Sequence, residues 1–114
     1  MIEAAMNSME AYLTTIIPGK TPCLSCMFPE KPDWDRRAFG VLGAVSGTLA
    51  CLAALEAIKV ITGLGNPLSG YLLNMDLAHS EFKKLHLYKD PDCPVCGSRV
   101  INQTTSATPH LSQV

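Results

Sequence analysis

Residues 39–63 read FGVLGAVSGTLACLAALEAIKVITG, and the spacing of their apolar positions decides the fold class. Leu42, Val45, Leu49, Leu52 and Leu55 recur at intervals of three and four, with Val41, Ile58 and Ile61 widening the stripe. That is the period of a helix and not of a strand. The other positions of its N-terminal half are Ala, Gly, Ser and Thr, so nearly every side there can be buried and a neighbouring backbone can approach closely. Gly63 and Gly65, with Pro67 beyond, are stop signals. At about 1.5 Å per residue the helix would span roughly 35 Å. Ser46, Gly47 and Thr48 interrupt the apolar run 41–55, and Glu56 and Lys59 follow it. This favours a buried helix over a bilayer span. Glu56 and Lys59, one turn apart, are expected to pair on the less buried edge. Cys51, alone in the apolar run, is expected to be an inert buried thiol.

Upstream, residues 11–17 (AYLTTII) are rich in β-branched side chains and end at Pro18-Gly19, a strand running into a turn. Residues 2–5 form only a short apolar scrap, with no room evident for a partner strand. Residues 27–37 are polar, aperiodic and contain proline, and read as a loop. Downstream, residues 71–77 and 81–88 flank Ala78-His79-Ser80 as a β-hairpin. Phe82 is out of phase with Leu85 and Leu87, which suggests a bulge near Lys83. Residues 99–114 have little to pack with and read as a disordered tail.

The bulk properties narrow the function. A chain of 114 residues is one small domain or part of a larger one. It is 47% apolar and 17% charged, which is globular composition, but at this size a metal or a partner subunit would help stability. A formal net charge of −1 gives no reason to expect nucleic acid or a membrane surface as partner. The first residues lack the basic and apolar regions of a signal peptide, so the expected location is cytoplasmic. There, paired cysteines more often hold metal than form disulfides.

Cys23-Leu24-Ser25-Cys26 and Cys93-Pro94-Val95-Cys96 are two Cys-x-x-Cys knuckles. Two intervening residues let one tight turn aim both sulfurs at a point, and two such turns complete a tetrahedron. Four thiolates suit a structural zinc ion and leave no open position to activate water. A redox dithiol, two disulfides or an iron–sulfur cluster are the alternatives. The knuckles lie in loops beside proline, unlike a thioredoxin-type motif opening a helix. Sixty-six residues separate the pairs, so the metal would clip together the ends of a larger element.

Other motifs carry less. Gly40, Gly43 and Gly47 precede a helix but lack the Lys-Ser/Thr of a phosphate loop, and close helix packing explains them. His79, His86 and His110 are scattered and read as surface residues. Arg36 and Arg37 follow Asp33 and Asp35 in a solvated loop.

In order along the chain, TPCLSCMFPEKP, FGVLGAVSG, LAALEAIKVITGLGNPLSGYLLNMDL and EFKKLHLYKDPDCPVCG resemble the C-terminal half of the ThiF/MoeB/HesA proteins, relatives of the ubiquitin-activating enzymes. The resemblance runs from Ile2 to about Gly97. It implies the C-terminal part of an α/β enzyme that uses ATP and magnesium to adenylate the C-terminal glycine of a ubiquitin-fold sulfur carrier, in a molybdopterin- or thiamine-type pathway. It also implies that Cys23, Cys26, Cys93 and Cys96 are zinc ligands, that members form homodimers, and that the strands help build the surface on which the carrier rests. The family's nucleotide loop, magnesium ligands and catalytic arginines belong to an N-terminal half that has no counterpart here. Some members place a reactive cysteine between the first knuckle and the long helix. This chain has none from residue 27 to residue 50.

The expectation is therefore an α+β unit over residues 1–98: antiparallel strands and a hairpin packed on one long buried helix, stapled by a four-cysteine zinc site. ATP and magnesium would belong to the longer parent, and this chain alone would be catalytically inactive, with no catalytic or nucleotide-binding residue of its own. Its partners would be a second copy of itself, forming a dimer, and a ubiquitin-fold sulfur carrier. A stand-alone zinc-stapled interaction module is the rival function, and a redox or sulfur-relay protein the third.

Overall fold

A computed structural model describes residues 1–30 and 40–97. Four strands, β1 (Ile2–Asn7), β2 (Glu10–Thr15), β3 (Tyr71–Asp76) and β4 (Glu81–His86), form one antiparallel sheet in the order β1-β2-β3-β4. Between β2 and β3 the chain makes a single turn of helix, α1 (Leu24–Met27), and the long helix α2 (Gly43–Thr62). The α+β class, the antiparallel sheet and the one long helix are as the sequence indicates.

Residues 2–5 are more than a scrap. They belong to β1, which pairs with β2 along its whole length, from Ile2 opposite Thr15 to Asn7 opposite Glu10. The connecting pair Ser8-Met9 is not a strong turn signal, yet Ser8 takes a positive φ of 54° and closes the hairpin. The expected bulge near Lys83 is also absent. Each residue of β4 faces one of β3, from Asp76 opposite Glu81 to Tyr71 opposite His86. Phe82 and Leu85, three residues apart, fall on opposite faces by the alternation of a regular strand, and both faces of β4 are exposed.

Ile2, Ala4 and Met6 lie on the same sheet face as Ala11, Leu13 and Thr15. On that face Ala11, Leu13 and Met75 pack with Val45 and Leu49 of α2 and with Leu68 into one core, flanked by Ile2, Met6, Leu52 and Ala53. The burial of α2 is narrower than its composition suggests. Only Val45, Leu49 and Glu56 are fully buried, and Leu42, Leu55, Ile58 and Ile61 of the predicted stripe are exposed. One sheet face covers one side of a helix, so a helix apolar all round keeps its other sides open in this chain. Cys51 lies on such an open side and is exposed, which corrects its expected burial. Gly43 and Gly47 likewise face open space, and only Gly40 of that motif sits close to a neighbour, the Ser8 side chain. By length and composition alone α2 could cross a membrane. Its buried carboxylate instead ties it to the sheet.

That carboxylate is Glu56, which is buried among polar partners and does not lie on the outer edge of the helix. Its Oε2 accepts hydrogen bonds from the Thr15 hydroxyl and the Leu68 backbone N–H, both at 2.7 Å. Its Oε1 pairs with Lys59, as the spacing indicates. Burial pushes the Glu56 carboxyl up, but the Leu68 N–H, Lys59 and Thr15 together hold it below its ordinary value. The helix ends where Gly63 takes a left-handed conformation (φ 76°) and donates its N–H to the Lys59 carbonyl.

Candidate metal centre

The two knuckles lie 70 residues apart in sequence and meet in space. Cys23 caps α1 in an extended conformation (ψ −179°), and its carbonyl accepts the N–H groups of Cys26 and Met27. This tight turn brings Cys26 round beside Cys23. The second knuckle follows β4. Asp90 orders its approach, with a side-chain oxygen 2.9 Å from the Asp92 nitrogen and a carbonyl accepting the Cys93 N–H. The Gly97 N–H closes the turn onto the Cys93 carbonyl at 3.0 Å. Gly97 is required there by space. A Cβ would fall 2.5 Å from the Cys93 oxygen, 2.6 Å from that of Pro91 and 2.8 Å from the Cys93 nitrogen, all of them rigid backbone atoms.

The four sulfurs lie within 4.8 Å of one another. Cys23 and Cys26 are 3.9 Å apart, Cys23 and Cys93 3.6 Å, and Cys26 and Cys96 3.3 Å. A tetrahedron with metal–sulfur bonds of about 2.3 Å has edges of roughly 3.8 Å, so the cluster is near the size that zinc requires. All four are free thiols. Cys93 is buried and the other three are half-buried.

The electrostatics of the cluster favour a cation. The Cys96 backbone N–H foremost, helped by that of Val95, holds the Cys93 thiol down at about 6. Burial, with the Cys26 and Cys23 sulfurs beside it, pushes Cys96 up to about 12. Four sulfurs this close cannot all ionise on their own, whereas a divalent ion between them displaces every proton and is held by four thiolates. With all four positions filled by sulfur, such an ion is a structural staple with no site for substrate.

Among the described residues, the other side chains singled out do not join this cluster. His79 is exposed in the β3–β4 turn, 3.0 Å from Asp76, and His86 is exposed on β4. His110 and the run Asp33, Asp35, Arg36 and Arg37 lie outside the described residues. Sequence reasoning missed the steric role of Gly97, although its position directly after the second knuckle was a signal. It also placed Glu56 on the wrong side of α2.

The ThiF family model matches residues 1–95. Protein HesA of Nostoc sp. is 72% identical over 98 residues, covering 86% of this chain and 39% of HesA. The bovine adenylyltransferase and sulfurtransferase MOCS3 is 39% identical over 104 residues, covering 87% of this chain and 23% of that protein. Among solved structures, that of Escherichia coli MccB with ATP superposes with a TM-score of 0.68 at 24% identity, over 84% of this chain and 31% of MccB. The chain thus spans well under half the length of these relatives. With the family model covering five-sixths of its residues and the sheet, helix and cysteine cluster in place, this chain belongs to the ThiF family.

Proposed function

We propose that this chain is the zinc-binding C-terminal portion of an enzyme that adenylates the C-terminal glycine of a ubiquitin-fold sulfur carrier. The observation that carries the reading is the meeting of Cys23, Cys26, Cys93 and Cys96 at one point, the first three within the ThiF match and Cys96 one residue beyond it. Zinc is the metal that this donor set suits best, since four thiolates at tetrahedral spacing match a d10 ion with no redox chemistry. Its role is to tie the chain after β4 to the chain before α2, which fixes the sheet relative to the helix. The adenylation reading draws support from the name of the MOCS3 relative, an adenylyltransferase and sulfurtransferase, and from the ATP in the MccB structure. ATP and magnesium belong to residues outside the 114 of this chain. The unit comprises residues 1–98, works in the cytoplasm, and self-associates through the open sides of α2.

The test replaces the matching C-terminal segment of HesA with residues 1–98 and measures ATP–pyrophosphate exchange with a sulfur-carrier protein. The chimera should exchange and contain one zinc, and the chain alone should show no exchange. Exchange by the chain alone would overturn the division of labour. A zinc-loaded, folded chimera without exchange would replace it with a stand-alone zinc-stapled interaction module.

A further inference from the structure

The nearest sulfurs in the cluster face each other across the two knuckles. Cys26 and Cys96 are 3.3 Å apart and Cys23 and Cys93 3.6 Å, whereas Cys23 and Cys26 within the first knuckle stand at 3.9 Å. The two close pairs share no residue, so both can bond at once. Backbone hydrogen bonds hold each turn in shape: the Cys23 carbonyl accepts the Cys26 and Met27 N–H groups, and the Cys93 carbonyl that of Gly97. A disulfide inside a knuckle must distort such a turn. A disulfide across needs only a small approach of one turn to the other.

An unfolded chain favours the opposite pairing, because Cys23 with Cys26 and Cys93 with Cys96 close the shortest loops. The cross-knuckle pairing is therefore a property of the fold. Each such bond joins residues 70 apart and constrains the unfolded chain far more than a bond inside a knuckle. Exposure sets an order. Cys93 is 1% exposed, and only the pair Cys26 and Cys96 has both sulfurs half-buried, so an oxidant meets that pair first.

We infer that the cluster is a peroxide-sensitive modification site, where the metal staple is exchanged for two disulfides, Cys26–Cys96 and then Cys23–Cys93, with the fold kept. The inference rests on the zinc reading proposed above. In each step the O–O bond of hydrogen peroxide breaks, one thiolate becomes a sulfenic acid and hydroxide leaves. The facing thiolate then attacks that sulfur, forms the S–S bond and expels a second hydroxide, so one peroxide accepts the two electrons that two thiolates lose. Loss of Cys26 and Cys96 leaves two thiolates, too few to hold a divalent ion.

The experiment uses the full chain with Cys51→Ser, which removes the exposed thiol, and begins with its native mass. Absence of bound zinc would sink the zinc reading and the exchange with it, whereas the outcomes that follow bear on the exchange alone. The first equivalent of hydrogen peroxide should form Cys26–Cys96, release zinc to a colorimetric chelator and leave Cys23 and Cys93 open to alkylation. The second should form Cys23–Cys93, and peptide mapping without reduction reads both bonds. The oxidised chain should melt well above the reduced, chelated chain, and dithiothreitol with zinc should restore the starting mass. In denaturant the same oxidant should form the bonds inside the knuckles. Bonds inside a knuckle of the folded chain, a first bond that includes Cys93, sulfinic acids in place of disulfides, zinc retained after both equivalents, or an oxidised chain that melts with the chelated one would each overturn the inference.

Discussion

The Thr15 hydroxyl donates to the Glu56 carboxylate at 2.7 Å, joining the end of β2 to the fourth turn of α2. The same oxygen receives the Leu68 N–H, so one carboxylate fixes the strand, the helix and the connection into β3. Glu56→Ala would leave the Thr15 hydroxyl and the Leu68 N–H without an acceptor in a buried place. The expected loss is about 3 kcal/mol. Thr15→Val, which leaves Glu56 two other partners, should cost about 1 kcal/mol. Urea unfolding of the zinc-loaded chain measures both. Equal losses would mean that the carboxylate is not the hub.

The same group sets a pH dependence. Glu56 is held below its ordinary value of 4.5, so the unfolded chain takes up the proton first. Its contribution is complete above the unfolded value and is lost as pH falls through the lower folded value. Proton competition at the cysteines acts in the same direction, so the informative quantity is the stability difference between wild type and Glu56→Gln. That difference should hold constant from about pH 7 down to about pH 5 and shrink below it. A difference that grows on acidification would contradict the assignment.

Thiol labelling separates the cluster from Cys51. With metal bound, Cys51 is exposed in the single chain and the other four cysteines are engaged, so brief maleimide treatment should add at most one label per chain, and none where self-association covers that side of α2. After removal of the metal with a strong chelator, all five should react. Mass spectrometry counts the adducts. Rapid addition of three or more labels before chelation would mean that one knuckle is free, and would revive a dithiol role.

Gly97→Ala tests the second knuckle without touching a ligand. The added methyl meets backbone on three sides and must open the turn that aims Cys93 and Cys96. Zinc affinity should fall by about 10- to 100-fold, the range seen when support around a metal site is removed. Competition with a colorimetric chelator reads it directly. An unchanged affinity would show that the turn relaxes freely.

These features differ in how far local sequence discloses them. The knuckles were legible because Cys23 and Cys26, or Cys93 and Cys96, are set by a single turn. The long helix was legible because Val45, Leu49 and Leu52 repeat at its period. Glu56 was misplaced because its partners lie 12 and 41 residues away, and nothing beside it indicates a buried acceptor. The β1–β2 hairpin escaped notice because Ser8-Met9 lacks glycine or asparagine at the turn. The open sides of α2 could not be anticipated from an apolar count, since composition records that a surface seeks cover and not whether this chain supplies it.

That uncovered surface yields the last prediction. Ile58 is 49% and Ile61 82% exposed on α2, and Ile61, with Val60 and Ala57, borders an apolar hollow lined by Met1, Ile2 and Ile16. An isolated chain has three ways to hide such a surface: a second copy, aggregation or loss of order. Self-association is expected from the preserved core beneath it. Sedimentation of the wild-type chain should therefore show a dimer or larger species, and the double substitution Ile58→Glu with Ile61→Glu should shift it to monomer with zinc retained. Placed in the HesA chimera, the same pair should lower stability by several kcal/mol, because residues outside this chain would then cover the helix and bury the charges. A wild-type monomer, or a chimera indifferent to both glutamates, would show that this face of α2 is built to meet water.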